Sequence, residues 1–451
     1  MPPLNPASII SIQRAVTASD SQVIKDTLLS IKSYAAANNW LNPTNKYLLN
    51  TIGKIKDDLD SNKPTHRLNV QQIKEYIAVS SILHCKDGWG FLTDSIGALL
   101  EGNISNSIHF AYYAELRAAM SFLASDGIGV FSNKHIWFDN TGTNNLVSYV
   151  PTHDFVWKAI EEWANVPDKS FVILKSFKVE NKSIFDWLVA AGMSPTVSTT
   201  TSLTKDWLKT WSLDLRVLGG DHILRNEVSY RPQEIKRSIR YDVNCIENLR
   251  FLINKWSLTE PTPSQKFNLL DNMLLREALY SYFKNQFGNK PGISSIRTIM
   301  NTLGLSSNVS LENFLNKVGH KTKDEIFKHA KLNAFPANGQ YKPLSIISRA
   351  FLLLRLSTCV LENSLIYAGY NSSTLEFWWK DLGVKNCLWE VGNEPSQTAD
   401  LWSDIGVLIA DIESYLSSNP LAGSFIVHRD LSKQLLESRK FQKAYLWGLG
   451  L

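Results

Sequence analysis

SNSIHFAYYAELRAAMSFLAS, residues Ser105–Ser125, carries the clearest periodic signal in the chain. Ile108, Tyr112, Leu116, Ala119, Phe122 and Leu123 recur at helical spacing and draw one apolar face. No proline or glycine interrupts the run. Ala111, Ala114, Ala118, Ala119 and Ala124 are small enough to let a neighbouring helix approach closely. Glu115 and Arg117 lie within this apolar setting and are expected to form a paired polar element.

Upstream the pattern stays helical. Ser19, Asp20 and Ser21 can cap a helix through Val23, Leu28, Leu29 and Ile31. Pro43-Thr44 is expected to open a second helix, which Asn62-Lys63-Pro64 ends. Val70–His84 reads as a third. Lys86-Asp87-Gly88 reads as a turn before a further helix, Trp89–Leu100, and Glu101-Gly102-Asn103 as a break. Downstream the period changes to that of strands at Gly127–Phe131, His135–Phe138 and Leu146–Val150. Asp139–Asn145, DNTGTNN, is a turn cluster between the last two. A small β-hairpin inserted near 128–150 is therefore expected. Phe171–Lys178 is β-like, and Ser194–Ser202 reads as a loop before a helix over Thr204–Leu218. Gly219-Gly220 is expected to loosen or break that helix, with Asp221 capping the short segment that ends at Pro232. Gln233–Lys255 is again helical.

Thr259–Pro263, TEPTP, is the clearest linker. Nearly everything after it reads as helix, ending with Leu431–Trp447. The expected fold is mainly α and multi-domain: a helical segment over 1–85, a helical bundle with the hairpin over 86–258, and a C-terminal helical domain over 264–451.

With 451 residues and 44% apolar content, the chain can build more than one domain's worth of core. Its net charge of +5 comes from interspersed residues, a mild bias only. The 14 tryptophans are core and interface material first. That includes Phe377-Trp378-Trp379, whose surroundings carry too many acids for a polyanion track. Cys85, Cys245, Cys359 and Cys387 have neither zinc-ligand nor disulfide spacing. No P-loop or HExxH pattern occurs, so neither a cofactor nor a metal is expected. His428-Arg429-Asp430-Leu431 copies the start of a kinase catalytic loop but has Leu435 where a metal-binding Asn belongs. Phe351–Tyr367 is apolar but contains Arg355 and Glu362, which makes it a buried helix rather than a membrane span. Arg349 and Arg355 are expected to pair internally with acids. The N-terminus shows no signal-peptide pattern, so a cytoplasmic location is expected.

The stretch Asp221–Pro232, DHILRNEVSYRP, concentrates the candidate chemistry. Within it Arg225-Asn226-Glu227-Val228-Ser229-Tyr230 resembles the RNxxxH signature of HEPN ribonuclease domains, with Tyr230 in place of His. The resemblance spans roughly 86–244. Trp89–Ser125 looks like an early helical pair of such a domain, and Thr204–Tyr230 like its last part. The chain also resembles unassigned proteins of bacterial defence islands, which implies a role in such a system. The resemblance implies metal-independent RNA cleavage, in which a base acts on the ribose 2′-OH and a cation meets the phosphorane charge. Tyr230, with an ordinary pKa of about 10, is no base at neutral pH. Arg216 and His222 form an alternative pair across the glycines. Catalytic candidates are thus Arg216, His222, Arg225, Asn226 and Tyr230, with Arg231, Arg237 and Arg240 as nucleic-acid contacts. On the other reading Arg225, Asn226 and Tyr230 are structural, with Arg225 paired to Glu115 or Glu227. The expected function is a non-catalytic scaffold or adaptor of an anti-phage defence complex. It would bind a partner protein or a second copy, and nucleic acid, and no membrane. A HEPN-type ribonuclease is the alternative.

Overall fold

The computed structural model describes residues 4–60, 67–210, 215–230, 245–316, 325–334, 342–395 and 398–450. The protein is mainly α. Its centre is a pair of helices, Val70–Leu100 and Ile104–Ser125, joined by a tight turn at Glu101–Asn103. Gly102 adopts φ 75° there, and the Asn103 side chain accepts from the Asn106 amide. A third helix, Pro343–Tyr367, lies across both.

Small residues make this three-helix contact. Ala111, Ala114, Ala118 and Ala119 are fully buried, as their spacing predicts. Gly88 does not form a turn; the first helix runs unbroken for 31 residues. A Cβ on Gly88 would meet Leu354 at 2.6 Å and lie 3.4 Å from the Ala114 carbonyl. The glycine therefore serves helix packing, which overrides its weak helix propensity.

The expected hairpin is a three-stranded antiparallel meander: β1 Ile128–Phe131, β2 Lys134–Phe138 and β3 Asn144–Ser148. Trp137 pairs with Ile128 on one side and with Asn145 on the other. Asp139 orders the second turn by accepting from the amides of Thr141 and Thr143.

Several segments differ from expectation. Phe171–Ser176 is not a strand but part of the helix Pro167–Ser176, with Pro167 in its first turn and Ile173 and Leu174 buried. Only β4, Lys178–Val179, and β5, Lys182–Ser183, follow it as a hairpin. Its turn residues Glu180 and Asn181 both have positive φ. The Ser/Thr-rich stretch is helical over Val197–Thr210, because Thr200, Leu203, Thr204, Trp207 and Leu208 bury one face at helical spacing. Asn5-Pro6 opens an additional helix, Pro6–Ala18, the Asn5 side chain accepting from the Ser8 amide at 2.7 Å. No helix starts at Pro43. Asn42 closes a turn onto Thr44, and the helix covers Thr51–Asp58 instead. Leu431–Trp447 is broken into short helices around a 3-10 turn at Ser438–Lys443.

The buried core crosses the Thr259–Pro263 segment without a gap. Trp89 packs on Phe267, Phe351 and Phe441, and the Trp447 indole N–H donates to the Thr259 carbonyl. Trp378 and Trp379 are buried, as core material should be. Among the described residues one helix, Pro343–Tyr367, is long and apolar enough to cross a membrane, and it is buried inside the protein. Its two arginines are paired with acids, Arg355 with Asp271 and Arg349 with Asp221.

Candidate functional site

The helix Leu215–Tyr230 runs through Gly219 and Gly220 without a break, and neither glycine has positive φ. It packs against Ile104–Ser125 and Thr152–Trp163. Asp221 is accordingly not a cap. It lies mid-helix, 1% exposed, and its two oxygens accept from Arg349 Nε at 2.8 Å and Nη2 at 2.7 Å. Arg349 Nη1 donates to the carbonyls of Ala330 and Leu332 at 2.8 and 2.9 Å. This bidentate pair fixes the helix that the glycines would otherwise loosen.

Glu115 is the third member of this buried cluster, 3.4 Å from Arg349 Nε. Two carboxyls thus share one guanidinium. Burial, reinforced by the Asp221 charge, pushes the Glu115 carboxyl well above its usual range. Burial also raises Asp221, to about 6, with Arg349 pulling against it. Glu115 therefore holds its proton more tightly than a free carboxyl, and Asp221 is the acid that Arg349 engages directly. Glu115 pairs with neither Arg117 nor Arg225. Two positions apart on a helix, Glu115 and Arg117 face different sides. Arg117 instead meets His84 Nδ1 at 2.8 Å, and burial lowers that imidazole to about 3.

The next turn of the helix carries the candidate residues. Arg225, 8% exposed, sits over the Tyr113 ring at 5.0 Å and near the Tyr230 ring at 5.6 Å. It donates to the Tyr113 hydroxyl and, at 2.8 Å, to Asn226 Oδ1. Among the described residues it forms no ion pair with a carboxylate. Asn226 Nδ2 reaches His222 Nε2 at 3.4 Å, the long end of a hydrogen bond. With Asn226 Oδ1 occupied by Arg225, the Asn226 amide donates, so His222 Nε2 accepts and His222 Nδ1 carries the proton. That Nδ1 is buried without a partner, as is Arg225 Nε.

His222 stacks on His153 with ring centroids 4.5 Å apart. Tyr112 links His153 to the core: its hydroxyl accepts from the Trp157 indole at 3.3 Å and shares a hydrogen bond with His153 Nδ1 at 2.7 Å. His109 Nδ1 meets the Ser229 hydroxyl at 2.7 Å. Burial lowers all three imidazoles, with the Arg225 charge adding to the effect, and His153 falls to about 4. In His222 Asp154 pulls the other way. The three are neutral at pH 7. The ring nitrogen that His222 would use as a base already accepts a hydrogen bond, while His222 Nδ1–H and Arg225 Nε–H are left without partners among the described residues.

The fold therefore gathers His222, Arg225 and Asn226 into one polar cluster. Tyr230 stands at its rim, 75% exposed. The Arg216 side chain and all of Arg231, Arg237 and Arg240 lie outside the described residues. The sequence motifs assign none of His109, Tyr112, Tyr113 and His153 to the site. The first three share one face of the Ser105–Ser125 pattern, a signal that was legible. His153 joins only through tertiary packing. Among the described residues no group of three or more His, Cys, Asp or Glu is placed to hold a metal ion. No family model, curated protein or solved structure matches this chain.

Proposed function

We propose that this chain is a non-catalytic helical adaptor, cytoplasmic and resembling a HEPN domain. On this reading it is a subunit of a bacterial anti-phage defence complex that docks a partner protein and holds nucleic acid at the Arg225 cluster. One observation carries the reading. The His222 lone pair facing the cluster accepts from Asn226, whereas Arg225 has no acid partner among the described residues. Such an arrangement favours holding a phosphate over abstracting a proton. Tyr230 at the motif's last position supports the same view, being exposed and a poor base. Affinity purification of the full chain from its native cell tests it: a stoichiometric protein partner is expected, with nucleic acid released by high salt. Recovery of the chain alone, free of both, would sink the proposal.

A second reading, metal-independent RNA cleavage, has one observation in its favour. A neutral imidazole, His222, and a cation, Arg225, with no acid partner among the described residues lie one helical turn apart on the same helix. It requires RNA scission by the purified chain in the presence of a metal chelator, lost in His222→Ala.

A further inference from the structure

A second polar cluster lies away from the Arg225 site. The β4–β5 hairpin, the Thr259–Pro263 segment and the Pro343–Tyr367 helix wall a cleft of about 570 Å³, within the size range of small-molecule sites. Arg355 forms part of its wall. The guanidinium is 2% exposed, bound in bidentate fashion to Asp271 at 2.8 Å on both arms, and sandwiched between Phe177 and Phe267. Its remaining arm, Nη1, is buried and meets the geometric criteria of a hydrogen bond with no group among the described residues, the Cys359 thiol being its neighbour. The aromatic rings and Asp271 hold the cation in one orientation, so that arm is fixed rather than free to turn elsewhere.

Two lysines stand at the same cleft, Lys178 from β4 and Lys266 from the linker, and neither forms an ion pair among the described residues. The acids present oppose them little. Asp271 is matched by Arg355. Glu362 is half-buried, and burial raises its carboxyl, against the pull of Arg355 and Lys266. Three cations, Lys178, Lys266 and Arg355, face the two acids Asp271 and Glu362. The cleft thus holds an excess of positive charge with a buried N–H left unpaired among the described residues.

The rest of the lining selects among anions. Ser176, Asn181, Thr262, Ser264, Gln265 and Asn363 offer hydroxyl and amide groups, and among the described residues no aromatic side chain lines the cleft. A nucleobase would find no ring to stack on, whereas a chain or ring of hydroxyls would find donors and acceptors on every wall. We propose that this cleft is a binding site for a small, hydroxyl-rich phosphate monoester, its phosphate held by Lys178, Lys266 and Arg355 and its hydroxyls by the Ser, Thr and Asn side chains. The site does not depend on the adaptor reading. It gives the Thr259–Pro263 segment a role as a wall of a pocket.

Isothermal titration of the full chain with ribose 5-phosphate, adenosine monophosphate and inorganic phosphate tests the proposal. Ribose 5-phosphate should bind, and more tightly than inorganic phosphate. Lys178→Ala/Lys266→Ala changes two accessible side chains and leaves the buried Arg355–Asp271 pair intact; it should weaken binding about tenfold or more. Circular dichroism of that variant should match the wild type. Absence of ribose 5-phosphate binding, or binding indifferent to the lysine changes, would overturn the site. Equal affinity for inorganic phosphate, or tighter binding of adenosine monophosphate, would overturn the ligand class.

Discussion

Arg349→Met removes the one cation that Asp221 and Glu115 share. The guanidinium is 0% exposed and makes four hydrogen bonds, two to Asp221 and two to the carbonyls of Ala330 and Leu332. Removing one partner of a buried pair typically destabilises by about 3–5 kcal/mol, since the other charge stays behind unpaired. The two carbonyls that lose a donor add about 1 kcal/mol. The variant should therefore lose about 4–6 kcal/mol, a large part of the roughly 5–15 kcal/mol that keeps a domain folded. Adding Asp221→Leu takes away the stranded carboxylate, and an apolar pair of similar volume is often neutral in such a place. The double variant should thus recover most of the loss. Urea denaturation followed by far-UV circular dichroism measures both. A single variant that loses less than about 1 kcal/mol, or a double variant no better than the single, would refute the view that this pair seats the Leu215–Tyr230 helix.

Other consequences can be checked in the same way. Gly88→Val would push side-chain atoms into Leu354, 2.6 Å from the Cβ position, and should destabilise by about 1–3 kcal/mol despite valine's better helix propensity. Burial holds the Glu115 carboxyl far above its ordinary 4.5, so the wild type loses stability as pH rises through the folded-state value. Glu115→Gln abolishes that loss. Its stability relative to wild type should grow as pH rises above the ordinary carboxyl range in thermal-melt profiles, and a constant difference would contradict the assignment. Tyr113→Phe deletes the hydroxyl that Arg225 donates to and should lower stability by about 1–2 kcal/mol in urea titrations.

The Ser105–Ser125 helix was legible because its apolar period and its alanines point to the same buried face. The strand segments at 128–148 were legible because the Asp139 turn cluster separates alternating apolar runs. Elsewhere local signals and tertiary demands conflict. Gly88 and the Gly219–Gly220 pair look like helix breakers, yet close packing on Leu354 and the Asp221–Arg349 bond keep both helices continuous. The Ser/Thr-rich stretch 194–202 has loop composition, yet from Val197 it forms the start of the helix expected only from Thr204, burying Thr200 on the same face as Leu203 and Trp207. The pairing of Arg349 and Arg355 with acids was legible from their apolar setting, but the acids themselves were not. Asp221 is 128 positions from Arg349, and no local rule connects them. The candidate site divides in the same manner. His222, Arg225 and Asn226 stood in one short motif, while His153 and Tyr113 reach it from other helices.

The adaptor reading turns on whether the Arg225 cluster holds nucleic acid without cutting it. A fluorescently labelled single-stranded RNA, incubated with the full chain in metal-free buffer, answers this by anisotropy and gel analysis of the same sample. The expected result is salt-sensitive binding, weakened by Arg225→Gln, with the RNA intact after prolonged incubation. RNA cut by the wild type and left whole by His222→Ala would contradict the account and make the cluster a catalytic site.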